Sequence, residues 1–249
     1  MNIPDPLSEA RKHLADAINQ TQIAYAAPLM VSPWIAMSCL QKAVRRGYEH
    51  LALRAAATLL KAAPDHLWRR CCGIAFEDIG LADLQTVTLV MAALGKKKFR
   101  AQIGGEWAAA SFIVSRMARA PKCRGADDLL MTSELHPRFA PARSQFPELS
   151  IPDLLRITTG DAPLPERAIA AWYAAGTHSQ STLQLRFRRG EPQALFNHLI
   201  DRGYPAVIVD LAREGFRKGA GMLAPFIAML FPLKRTVTAT EDEVVPVAN

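Results

Sequence analysis

No G-x-x-x-x-G-K-[ST] loop occurs anywhere in the chain, so it has no P-loop cradle for nucleotide phosphates. The four cysteines, Cys39, Cys71, Cys72 and Cys123, form no C-x-x-C pair and no Cys/His cluster with zinc spacing. Because Cys71 and Cys72 are adjacent, they point to different sides of a helix, and they read as structural thiols rather than redox or metal groups. The histidines make no H-x-x-x-H and no H-E-x-x-H pattern, and no G-x-S-x-G accompanies the serines that follow His178. These absences lead us to expect no catalytic motif, no cofactor and no metal. No run of eighteen uncharged apolar residues occurs, and the stretch 222–233 is short and interrupted by Pro225 and Pro232, which argues against a membrane span. Residues 1–6 lack a basic segment followed by an apolar one, so a cytoplasmic location is the expectation.

The 249 residues, half of them hydrophobic, suffice for a substantial core. Apolar residues recur at helical spacing over 6–19, 34–44, 51–63 and 84–94, and again over 165–175, 192–202, 206–217 and 222–230, which predicts an all-α fold. Residues 21–33 read as a connector between the first two helices. Pro137, Pro141, Pro147, Pro152, Pro163 and Pro165 break up residues 136–165, which are read as a proline-rich connector between a helical domain, 1–135, and a C-terminal helical region, 166–235. Residues 236–249 are expected to be a flexible tail.

The segment Cys71-Cys-Gly-Ile-Ala-Phe-Glu-Asp-Ile-Gly-Leu-Ala-Asp joins two predicted helices. Pro64 starts the first, Gly80 is placed to end it in a left-handed C-cap, and Asp83 is placed to N-cap the second. Glu77 and Asp78 are neighbours that diverge by about 100° on a helix, so they do not face a common atom as paired acids would. They read instead as acceptors for nearby backbone or for Arg69 and Arg70, so that Glu77, Asp78, Gly80 and Asp83 together form a structural joint.

Leu40-Gln-Lys-Ala-Val-Arg-Arg-Gly, Leu67-Trp-Arg-Arg, Phe76-Glu-Asp-Ile-Gly-Leu-Ala-Asp and Ala120-Pro-Lys, in this order and spacing, resemble the C-terminal helical part of the MgsA family. These are the replication-associated recombination AAA+ ATPases related to Werner-helicase-interacting protein and to clamp loaders. The resemblance covers roughly residues 36–130 and departs from the family at Phe76 and at Cys123-Arg124. It implies a clamp-loader-type helical collar, a homo-oligomer, and a setting in DNA replication or repair on single-stranded or forked DNA. The ATPase core is absent from this sequence.

Charge is the second signal, with a net charge of +7 carried by clustered lysines and arginines. Such an excess favours polyanions, and together with the resemblance it nominates Lys96, Lys97, Lys98, Arg100, Arg116, Arg119, Lys122 and Arg124 as DNA phosphate contacts. Phe99 and Phe187, each set among cations, could stack on bases, although an aromatic at such a place more often anchors a core. Three readings stand at this point. One is a non-enzymatic DNA-associated accessory protein that keeps the collar without its motor. Another is a protein-interaction module that modulates an AAA+ ATPase or meets another acidic partner without binding DNA. The third is an enzyme with a site in the C-terminal half.

Overall fold

The computed structural model describes residues 6–95, 97–177 and 184–241. Among these the chain is all-α, with no β-strand beyond a single bridge between Gly176 and Arg189. No helix among the described residues is long and apolar enough to cross a membrane.

The chain divides into two compact units, one of Met1–Arg124 with Glu214–Ala220, the other of Gly125–Arg213 with Gly221–Asn249. The first holds α1 (Pro6–Asn19), α2 (Pro33–Arg46), α3 (Glu49–Ala62), α4 (Pro64–Ile74), α5 (Leu84–Ala93), α6 (Lys97–Gln102) and α7 (Glu106–Arg119). Its most extensive helix pair is α2 against α3, and α3 also packs on α7. Small side chains permit this: Ala36, Leu40 and Ala43 of α2 and Ala52, Ala55, Ala56 and Leu59 of α3 are buried. α5 is apolar almost all round, and seven of its residues are buried.

The termini of α2 are fixed by sequence. Ser32 adopts an extended backbone and its hydroxyl accepts from the Ile35 amide, Pro33 occupies the first helical turn, and Gly47 closes the C-terminus in a left-handed cap. The joint after α4 departs from expectation in its details. The helix widens into a π-helical turn, Ala75–Ile79, followed by a 3₁₀ turn, Gly80–Ala82. Gly80 has φ 50° and ψ −131°, which is not the left-handed cap expected but the mirror image of extended backbone, a region open to glycine and strained for other residues. Asp83 does N-cap α5, accepting from the Thr86 amide at 2.9 Å. The returning segment Glu214–Ala220 lies against α4, and Gly215 approaches Phe76 so closely that a Cβ there would fall 2.3 Å from the ring.

The second unit contains α8 (Gly125–Leu135), α9 (Ala140–Gln145), α10 (Ile151–Thr158), α11 (Leu164–Ala175), α12 (Pro192–Asp201), the first turns of α13 (Ala206–Gly215), and α14 (Leu223–Glu241). α11 is its centre, buried from Ala168 through Ala175 and packed by α8, α10 and α12, while Trp172 meets Phe226 of α14 edge-on. The division of the chain therefore falls after Arg124 rather than in residues 136–165. The proline-rich passage is itself part of the second unit, because Pro137, Pro141, Pro147, Pro152 and Pro165 each fall in the first turn of a short helix, where the missing N–H is no loss. The expected tail begins later than residue 236, since α14 continues through Pro232 to Glu241, and residues 242–249 lie outside the described residues.

Candidate interaction surface

The joint holds its carboxylates with a different arginine from those expected. Asp78, fully buried, accepts from Arg45 Nε at 2.6 Å, and Glu77 accepts from Arg45 Nη2 at 2.8 Å, so one guanidinium from α2 bridges both acids. Gln41 also donates to Asp78, at 3.4 Å, and Arg70 donates to the Gln41 carbonyl oxygen at 3.0 Å. Arg69 takes no part, because it points outward on α4. Cys71 and Cys72 are buried beside this joint, and burial pushes both thiols up to about 12, which makes them inert at neutral pH.

Most of the cations nominated for DNA are engaged within the fold. Arg100 is buried: it lies over the Trp68 ring at 4.5 Å, donates to the Glu106 carboxylate, and closes the carbonyls of Ala93 and Gly95. Lys122 lies beyond α7 and donates to the carbonyls of Met117, Ala118 and Ala120, capping that helix, and burial holds its pKa below the ordinary lysine value. Arg116 donates to Thr86 Oγ1 at 3.0 Å and to Gln85 at 2.8 Å. Arg119 grips Glu49 with two bonds of 2.7 and 2.6 Å, and this pairing holds the Glu49 carboxyl below its usual range. Arg124 Nε lies 3.9 Å from Asp78. Lys97 and Lys98 are exposed, Phe99 is half-buried, and Lys96 lies outside the described residues. Phe187 is exposed, but its neighbours Arg186 and Arg188 are directed to Glu148 and to the Pro147 carbonyl.

Arg116 and Arg119 do converge on one feature, a cleft of about 410 Å³ beside α7 whose walls include Ile23, Phe112, Pro121, Glu49 and Asp83. Burial opposes the ionisation of Asp83, yet the hydrogen bonds from the Thr86 hydroxyl and amide outweigh it and keep its carboxyl below the ordinary value. With each guanidinium already facing an acid, the cleft is close to neutral and lacks the unbalanced charge that a phosphate site needs. In the second unit, Thr159 Oγ1 lies 2.9 Å from His198 Nε2 and also receives Arg202 Nε at 3.3 Å. Burial and the Arg202 charge hold His198 below the usual histidine value. No group of three histidine, cysteine, aspartate or glutamate side chains among the described residues is gathered to hold a metal ion.

A different surface stands out on the first unit. The segment entering α2 and its first turn display large apolar side chains to solvent: Tyr25 is 88% exposed, Met30 fully, Trp34 76% and Ile35 54%. Farther along the same helix Lys42 and Arg46, at i+7 and i+11 from Ile35, are exposed in line with it. On the adjoining edge Met37 shares a hollow of about 260 Å³ with His66, Arg69, Arg70 and Gly73, and Gly73 has nothing within 4 Å of where a side chain would begin. The sequence holds a signal for this surface that reading by motif passes over: no charged residue occurs between Asp16 and Lys42, although much of that stretch is exposed connector.

Compared with known proteins, the chain matches no family model, no curated protein and no solved structure.

Proposed function

We propose that this protein is a non-enzymatic helical module that docks a protein partner through the edge of α2 and the segment leading into it. The observation that carries this reading is the exposure of Trp34 and Ile35 on a helix capped at both ends, with Met30 exposed in the segment just before it. A capped helix presents its side chains in a fixed geometry, and a cluster of exposed aromatic and aliphatic groups gains free energy only when another apolar surface covers it. The MgsA-family resemblance supplies one candidate, the collar of an AAA+ ATPase, and equally accommodates a homo-oligomer. A photo-crosslinking amino acid in place of Ser38, exposed one turn along α2 from Trp34, tests the reading in cells. A discrete protein adduct, lost on Ile35→Asp, is expected; adducts to nucleic acid alone, or none, would overturn it.

The second reading, a DNA-associated accessory of replication or repair, is favoured by the net charge of +7 and by the exposed pair Lys97 and Lys98 beside Phe99. It expects binding to single-stranded or forked oligonucleotides whose logarithm falls linearly with the logarithm of salt. Fluorescence anisotropy across a salt series decides it, and binding that is absent at low salt removes it.

A further inference from the structure

We infer that the α2 edge takes an acidic protein segment bearing large apolar side chains, with Trp34 as the apolar anchor and Arg69 as the anion grip. The inference rests on the protein-docking reading above and specifies the chemistry of the partner. α2 carries Lys42, Arg45 and Arg46 and no acidic residue. Arg45 is turned inward to the joint, but Lys42 and Arg46 are exposed and their side chains donate to no other described residue. The same holds for Arg69 at the hollow that it shares with Met37. Asp65, one turn before Arg69 on α4, is exposed but makes no ion pair with it within 4.0 Å.

At 100° per residue Trp34 thus stands between two cationic flanks of α2, Lys42 and Arg46 beside Ile35 on one and Arg69 beside Met37 on the other, and the complementary surface is apolar and negative. A second copy of this chain fits poorly, since a two-fold contact would set the uncompensated cations of one edge against those of the other. A single-stranded nucleic acid would satisfy the cations and could stack on Trp34, but it offers no counterpart for Met30 and Ile35. The hollow beside Met37 suits one apolar side chain of the partner, and its carboxylate neighbour would lie against Arg69 and Arg70.

The test is selection of a random peptide library displayed on phage against the immobilised full chain, followed by anisotropy of the selected peptides on wild type, Trp34→Ala and Arg69→Glu. We expect enrichment of aspartate and glutamate together with leucine or aromatic residues. Both substitutions should weaken binding by roughly tenfold or more, and added salt should weaken the wild type more than Arg69→Glu. Both side chains are exposed, and unchanged circular-dichroism melts identify the loss as one of contact rather than of folding. Enrichment of neutral apolar or basic peptides that require Trp34 but ignore Arg69 would overturn the acidic partner while leaving the docking reading intact. Failure to enrich any peptide that depends on Trp34, or an oligothymidylate that binds and is lost on Trp34→Ala, would overturn both.

Discussion

Along α7 the guanidiniums of Arg116 and Arg119 give their hydrogens to Thr86, Gln85 and Glu49, whereas Lys42, Arg46 and Arg69 on the α2 and α4 edge are exposed and donate to no other described residue. The two regions carry similar formal charge, but only the second has charge to offer a partner. A cation that already bridges helices has its field cancelled locally and its side chain immobilised. An uncompensated one keeps both its potential and its reach. The difference also separates stability from binding, since the first set should matter when the protein unfolds and the second when it meets something else.

The largest effect expected from that contrast is at Arg100. Arg100→Ala removes a buried guanidinium from Trp68, Glu106 and two carbonyls and should lower the unfolding free energy by about 3–5 kcal/mol, read from the denaturant midpoint. Gly80→Val tests the joint that sets α2 against α4. A β-branched residue at φ 50° should cost about 1–3 kcal/mol by the same measurement, and an unchanged midpoint would show that this backbone conformation is not required. The Glu49–Arg119 pair should contribute about 0.2–1 kcal/mol, because Arg119 is largely exposed. Since the folded Glu49 carboxyl is held below its unfolded value, that contribution is complete above the ordinary glutamate range near about 4.3 and disappears as the pH falls through the folded value. The gap in stability between wild type and Glu49→Gln, followed by urea titration from neutral pH downward, should therefore close on acidification. The smallest effect is at the edge, where Arg69→Ala and Lys42→Ala should leave stability within about 0.5 kcal/mol of wild type.

Much of the fold was legible because its signals are local. The helical period over residues 6–19 coincides with α1, and the boundaries of α5 and α11 differ from those that the periodicity predicts by a single residue at one end. Asp83 was placed as a cap from its position alone. What escaped was long-range or depended on the degree of exposure. The partner of Glu77 and Asp78 is more than thirty residues away in sequence, so the nearby Arg69 and Arg70 were the natural local choice and the wrong one. The prolines of residues 136–165 look like breaks when counted, yet each of those at helix starts is compatible with a short helix. The cations of α7 looked available because a sequence does not show which acids face them. The α2 edge is not legible because the helical spacing over 34–44 does not show which of its apolar residues face solvent, and a connector over 21–33 carries no sign of which of its side chains are exposed.

The most direct measurement is hydroxyl-radical footprinting of the full chain with and without a selected acidic peptide, quantified residue by residue. Protection of Met30, Trp34 and Ile35 is expected, with reactivity along α6 and α7 unchanged. Protection confined to α6 and α7, with Trp34 as reactive as in the unbound protein, would contradict it.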